Sequence, residues 1–116
     1  MTIWGTGTPT REFLFVEDAA RAIVLATEKL ETDEPINIGV GREISIGKLA
    51  EMIAAATGYH GSLEFDTSRP DGQPRRCLDV SRARDMLGFE AEVSLAEGLR
   101  RTIDWYRAQG DIARAA

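Results

Sequence analysis

Two glycine pairs are the first places in the sequence where a phosphate-binding loop could form. A dinucleotide fold needs a glycine-rich turn between a strand and a helix, where backbone N–H groups approach a pyrophosphate. Gly5-Thr6-Gly7 is followed by Thr8-Pro9-Thr10, not by a third glycine that opens a helix. After Gly39-Val40-Gly41, Ile44 occupies the third glycine's place. We therefore expect no dinucleotide-binding fingerprint and no cofactor held by this chain alone.

Acid–base and metal chemistry also lack the residues they need. One common hydride-transfer site pairs a tyrosine with a lysine four residues later, because the ammonium lowers the pKa of the phenol. Here Tyr59 is followed at that distance by Leu63, and Tyr106 by Gly110. The single His60 has no second His or Cys nearby, which argues against a metal site. We expect no catalysis by this chain alone.

Arginines gather in two groups although the chain carries a net charge of −5. The groups are Arg69, Arg75, Arg76, Arg82 and Arg84, and then Arg100 and Arg101. The negative total argues against broad nucleic-acid binding. Each group has two open interpretations, a solvated ion-paired surface or a site for an anionic ligand, and spacing alone does not choose between them.

Composition is that of an ordinary globular domain. The 116 residues suffice for one domain, and 43% hydrophobic with 28% charged residues is close to the average for such proteins. The apolar stretches are far too short to cross a bilayer, and the N-terminus lacks the pattern of a secretory signal. Cys77 is the only cysteine, which excludes an intramolecular disulfide and suits a reducing cytoplasm.

Hydrophobic periodicity predicts alternating strands and helices. The predicted elements are a strand over 11–16, a helix over 17–30, a strand over 35–39, a helix from the Ser45 cap to Gly58, a strand over 62–65, a loop over 66–76, a helix over 81–87, and a last helix opened by the capping box Ser94-Leu95-Ala96-Glu97. Ile23 and Tyr106 are expected on buried helix stripes, and residues 111–116 are expected to fray. The order predicts one α/β domain over residues 1–116, with few short strands and about four helices.

Three blocks of the sequence resemble one known family. Trp4-Gly5-Thr6-Gly7-Thr8-Pro9-Thr10-Arg11-Glu12-Phe13-Leu14 with Val16-Glu17-Asp18-Ala19-Ala20, and then Ile36-Asn37-Ile38-Gly39, resemble the C-terminal lobe of extended short-chain dehydrogenases. The loop Arg69-Pro70-Asp71-Gly72-Gln73-Pro74-Arg75-Arg76 differs from the Arg-Pro-Gly-Asp type of many UDP-sugar members. It is similar to the loop of the GDP-L-fucose synthase family. The resemblance covers nearly the whole chain.

That resemblance implies three contacts to a nucleotide sugar. Trp4 would line the site with its indole, Arg11 would grip phosphate oxygens, and Asp71 would accept hydrogen bonds from ribose or guanine. Each has a plainer alternative: a core anchor for Trp4, a surface charge for Arg11 and a turn residue for Asp71. The resemblance implies no catalytic, cofactor-binding or metal-binding residue in this chain.

The resemblance implies that this chain forms one side of the cleft in which a nucleotide sugar binds. The resemblance implies the GDP-sugar-binding part of an epimerase/reductase that acts on GDP-4-keto-6-deoxymannose with NADPH. A Rossmann domain with the glycine fingerprint, the Tyr/Lys pair and NADP(H) would precede Met1. Two alternatives stay open: a non-catalytic module that binds or self-associates through its exposed apolar face, and the lobe of a UDP- or dTDP-sugar epimerase or dehydratase.

Overall fold

The computed structural model describes residues 1–115, with side chains described up to residue 109. Within them the chain forms the strands β1 (Thr2–Trp4), β2 (Thr10–Arg11), β3 (Ile44–Ser45), β4 (Glu64–Asp66) and β5 (Arg75–Arg76), the helices α1 (Val16–Lys29), α2 (Ile46–Thr57) and α3 (Leu95–Ala115), and a π-helical segment (Ala83–Leu87). The α/β class with few short strands and four helical elements is confirmed.

Helix α1 begins one residue before the predicted start. Glu17 and Asp18 lie in its first turn, where the helix dipole favours negative charge. The helix buries Ala22 completely, but Ile23 is 67% exposed. The prediction that Ile23 lies on the buried stripe is therefore wrong, because α1 is apolar on more than one face and only one face meets the core.

Helix α2 begins and ends as the sequence predicts. The Ser45 hydroxyl accepts a hydrogen bond from the Lys48 N–H at 3.2 Å, which satisfies one of the free donors at the helix start. Gly58 closes the helix with φ +74°, a left-handed conformation that favours glycine. Ala50 is the most buried residue of the helix.

Helix α3 uses half of its predicted capping box. The Glu97 N–H donates to the Ser94 hydroxyl at 3.3 Å, as expected. The Glu97 carboxylate instead accepts from Arg100 and Arg101. Tyr106 is 73% exposed, so its predicted place on the buried stripe is wrong. Residues 111–115, which the sequence predicts to fray, continue helix α3, and residue 116 lies outside the described residues.

The strands form two small sheets that the sequence does not predict well. In one, β1 pairs parallel with β4, and in the other β2 lies between antiparallel β3 and parallel β5. The predicted strand over 11–16 shrinks to Thr10–Arg11, and the one over 35–39 is extended chain outside these sheets. β5 lies inside the predicted loop over 66–76.

The core is small and lies between α1 and the π-helical segment. Its buried members are Ala22, Ala83, Leu87 and Phe89, and Gly88 ends the segment with φ +65° as predicted. The radius of gyration is 17.3 Å, whereas a compact chain of this length has about 13 Å. The fold is therefore open. Among the residues described, none of the helices combines the length and hydropathy of a membrane span.

Candidate functional site

Asp71 fastens the loop over 66–76 to the turn that follows β1. Its Oδ1 accepts the Thr6 N–H at 2.6 Å, and its Oδ2 accepts the Thr6 hydroxyl at 2.8 Å. Gly5 has φ +81°, and a Cβ on it would overlap the Asp71 side chain. The turn and the loop therefore meet so closely that only glycine fits between them.

Trp4 stands exposed at the end of β1. Its indole is 68% exposed, and the Arg69 guanidinium carbon lies 5.2 Å from the ring centroid, within cation–π range. Asp66, on the adjacent strand, places its Oδ2 3.8 Å from the Arg69 Nε. An indole this exposed is not part of the core that the described residues form.

Arg11 lies on the central strand of the three-stranded sheet. In the parallel register with β5 it faces Arg76, so two cationic side chains are neighbours there. Arg11 is half-buried, and its Nη1 donates to the Thr10 carbonyl at 2.6 Å. Both arginines line a cleft of about 340 Å³. Within the described part of the chain, neither forms an ion pair.

The other arginines of the two groups have carboxylate partners. The pairs are Arg69 with Asp66, Arg75 with Glu43, Arg82 with Glu34, Arg84 with Asp85, Arg100 with Glu97 and Asp104, and Arg101 with Glu17 and Glu97. Hydrogen bonds from Arg100 and Arg101 lower the pKa of Glu97 to about 2. The ion-paired interpretation therefore holds for these residues, while Arg11 and Arg76 keep their charge available for an anion.

Glu12 is a structural centre that the sequence does not reveal. Its Oε1 accepts the Leu78 N–H at 2.8 Å, and its Oε2 accepts the N–H groups of Val40 and Gly41 at 3.1 and 2.8 Å. A Cβ on Gly39 would come within 2.9 Å of the same carboxylate. Glu12, which lines the same cleft as Arg11, thus holds together the segment before β3 and the segment after β5. Strand alternation alone gives no signal of this role.

The same contacts test whether a dinucleotide could bind at the second glycine pair. A pyrophosphate needs free backbone N–H groups. Those of Val40 and Gly41 are already bonded to an anionic carboxylate, which would repel phosphate. The first pair, Gly5 and Gly7, leads into β2 and not into a helix. Neither glycine pair therefore fits the pyrophosphate of NADP(H).

Asp18 is a buried acid that the sequence analysis does not single out as a functional residue. It is 3% exposed, and its Oδ2 accepts the N–H groups of Glu92 and Val93 at 3.1 and 2.9 Å. Its Oδ1 accepts from Arg21 at 3.0 Å. Burial alone would raise the pKa of Asp18, but these hydrogen bonds together lower it. Asp18 therefore fixes the chain that leads into α3.

The structure brings two of the three expected site residues into one connected set. Trp4 and Asp71 belong to it through Thr6 and through Gly5, whose N–H donates to the Asp66 carbonyl at 2.9 Å. Arg11 lies on the neighbouring sheet, one short turn further along the chain. The sequence includes Arg76 among the arginines that could bind an anion but does not place it, and its register opposite Arg11 singles it out. The arginine pair can hold an anion, and the exposed Trp4 indole can stack on a flat ring of a ligand.

Comparison with known proteins identifies the same family that the sequence motifs resemble. A model of the NAD dependent epimerase/dehydratase family matches residues 1–39. A UDP-glucose 4-epimerase from Thermotoga maritima, solved with UDP-glucose, superposes with a TM-score of 0.86 at 34% identity, covering 94% of this chain and 35% of that one. The chain belongs to the NAD dependent epimerase/dehydratase family, and it corresponds to the C-terminal lobe of extended short-chain dehydrogenases.

Within that family it is similar to GDP-L-fucose synthases. GDP-L-fucose synthase 1 of Arabidopsis thaliana is 43% identical over 106 residues, which are 91% of this chain and 32% of that protein. A GDP-L-fucose synthetase of Naegleria fowleri, solved with NADP, has a TM-score of 0.89 at 28% identity and covers 95% of this chain and 35% of its own. The chain thus spans about a third of the length of these relatives.

Proposed function

We propose that this chain is the GDP-sugar-binding part of a GDP-L-fucose synthase-like epimerase/reductase and does not catalyse by itself. Trp4, Arg11 and Asp71 would contact the nucleotide sugar, with Arg76 as a fourth contact. The substrate of the whole protein would be GDP-4-keto-6-deoxymannose. NADP(H) would come with the part of the protein that this chain lacks, and the whole would act in the cytoplasm.

The observation that carries this proposal is the arginine pair on β2 and β5. Two like charges held in register repel each other, and this arrangement becomes favourable when an anion binds between them. A diphosphate offers several oxygens that planar guanidinium groups grip in a bidentate manner. The neighbouring Trp4 offers an exposed flat face to a base or sugar. These features suit a nucleoside-diphosphate sugar better than a simple anion.

Exposed apolar residues support a missing partner domain. Val16, Ile23, Val24 and Trp105 are all more than half exposed, at 70%, 67%, 56% and 62%. An open fold with such a surface exposes apolar area to water, which is energetically unfavourable and favours association with a partner. The relatives are about three times as long as this chain. A Rossmann domain ahead of residue 1 would cover this surface and complete the cleft.

A second candidate is the lobe of a UDP- or dTDP-sugar enzyme. The likeness to the Thermotoga maritima UDP-glucose 4-epimerase favours it. The arginine pair would bind either diphosphate, so the base must separate the two candidates. A third candidate, a module that self-associates through the exposed apolar surface, predicts a dimer or larger species in light scattering.

Calorimetry with GDP and UDP tests the proposal on the whole 116-residue chain. We expect weak binding of GDP, weaker binding of UDP, and loss of affinity in Arg11→Ala and Arg76→Ala of about tenfold each. Arg84→Ala is the matched control, because it removes a guanidinium that pairs with Asp85 on the π-helical segment. Absence of GDP binding at millimolar ligand, or equal loss in the control, would contradict the proposal.

A further inference from the structure

Arg69 occupies a place between two residues of the candidate site. Its guanidinium lies over the Trp4 ring, 5.2 Å from the centroid, and its Nε is 3.8 Å from the Asp66 carboxylate. Asp66 also accepts from the Ser68 N–H at 3.0 Å, so it is itself held in place. The three side chains contact one another in series: Asp66 orients Arg69, and Arg69 orients the indole.

Backbone contacts fix the positions of Asp66 and Trp4, the first and last members of this series. The Trp4 strand pairs with the Asp66 strand in register, Trp4 opposite Asp66, and the Gly5 N–H donates to the Asp66 carbonyl. The Arg69 N–H donates to the same carbonyl at 3.2 Å. The backbone therefore places Arg69 on one side of the indole. A ring that is still 68% exposed keeps most of its surface open to a ligand.

We infer that Arg69 is a positioning residue of the nucleotide-sugar site, which holds the Trp4 indole flat through a cation–π contact so that its open surface meets the ligand. The inference rests on the proposed function. An unheld indole has two free side-chain torsions, whose freedom would be lost on binding and would weaken affinity. The guanidinium settles that orientation before the ligand arrives.

Lysine is the informative replacement. Both side chains are cationic and can lie over an aromatic ring, but only the planar guanidinium also stacks flat on it and so fixes its orientation. If Arg69 only contributed charge to an anionic ligand, Arg69→Lys would retain most of the affinity. If it holds the indole, Arg69→Lys should resemble Arg69→Ala more than the parent chain.

Trp4 provides a readout that needs no ligand. The chain has two tryptophans, and Trp105→Phe leaves Trp4 as the only one, so fluorescence reports its environment alone. In this background we expect Arg69→Ala and Arg69→Lys to lower the anisotropy of Trp4 and raise its quenching by acrylamide. Asp66→Asn should move both in the same direction by less, since it weakens the hold on Arg69. Arg107→Ala is the matched control.

Affinity for GDP completes the experiment. We expect Arg69→Ala to weaken GDP binding by roughly two- to fivefold, the range of an exposed cation–π contact. Unchanged Trp4 anisotropy and quenching in Arg69→Ala would overturn the inference, whatever the affinity. If Trp4 loosens but Trp4→Ala leaves GDP affinity unchanged, Arg69 positions an indole that serves no ligand, and the proposed function fails separately. Circular dichroism of each variant confirms the fold.

Discussion

Asp71 and Thr6 are joined at two points, one carboxylate oxygen on the backbone N–H and the other on the hydroxyl of the same residue. This double contact makes Asp71 a part of the structure before any ligand is present. Each carboxylate oxygen has a further lone-pair direction, so Asp71 can still accept from a ligand. Mutating Thr6 separates the structural role of Asp71 from its proposed binding role.

Thr6→Val should therefore affect GDP binding less than Asp71→Ala. The valine removes one of the two bonds that hold the loop but leaves the carboxylate in place, whereas the alanine removes both bonds and the proposed ligand contact. We expect losses of about twofold and about tenfold, measured by calorimetry. Equal losses would show that Asp71 acts only by holding the loop.

Gly5→Ala should destabilise the chain more than Gly72→Ala does. Both glycines have positive φ, +81° and +73°, so each alanine carries a conformational penalty of about 1 kcal/mol. Only at Gly5 would the new Cβ also strike Asp71; at Gly72 nothing lies within 4 Å. Urea denaturation of the two variants measures the difference. A larger loss at Gly72 would contradict the close approach of turn and loop.

Helix ends were predictable from the sequence because their signals are local. Ser45, Gly58 and Ser94 act within four residues of their own positions, and each lies where the sequence placed it. The two-residue strands were not predictable. Their hydrogen bonds depend on partners more than thirty residues away, and an alternating pattern such as 35–39 does not show whether a neighbouring strand exists.

Asp18→Asn should lower the free energy of unfolding by about 2 kcal/mol. An amide has only one acceptor oxygen, so asparagine cannot accept from both the backbone N–H groups of Glu92 and Val93 and the Arg21 guanidinium, and one side loses its acceptor inside the fold. Asp85→Asn, at an exposed carboxylate, should change little. Urea denaturation at neutral pH gives both values, and equal values would exclude a special role for Asp18.

The Asp18 carboxylate also determines part of the pH dependence of the stability of the fold in acid. Since the folded state lowers the pKa of Asp18 below its ordinary 3.8, the charge stabilises the fold above that pH. The stabilisation falls as pH drops from 3.8 through the lowered value. Asp18→Asn should therefore flatten this acidic limb of the stability profile, measured by thermal unfolding from pH 5 downward. A limb that keeps its slope would contradict the linkage.

Glu97 should titrate near pH 2 in the folded chain. Hydrogen bonds from Arg100 and Arg101 stabilise its charged form, against an ordinary pKa of 4.5. Carboxyl NMR should show this value, and Arg100→Ala should raise it toward 4.5. Arg107→Ala, on the same helix, serves as the control and should leave the titration unchanged. The contribution of Glu97 to the fold is then present above pH 4.5 and lost between 4.5 and about 2.

The candidate site was predictable only where the resemblance supplied it. Trp4, Arg11 and Asp71 came from matching motifs, and the exposure of Trp4 agrees with a contact role. Arg76 needed the strand register, and Glu12 needed the folded chain, because its three amide partners come from segments far apart in sequence. Periodicity identifies faces of single elements but not which of them meet.

The parallel pairing of β1 with β4 has a consequence for the order in which the chain folds. Ile3 lies opposite Phe65, so this contact closes a loop of some sixty residues. Long loops close slowly because chain entropy opposes them until distant contacts form. The helices are expected to form first and the β1–β4 pair, which contains Trp4, last. This strand pair should also be the first to open, and a nucleotide that bound against Trp4 would slow that opening.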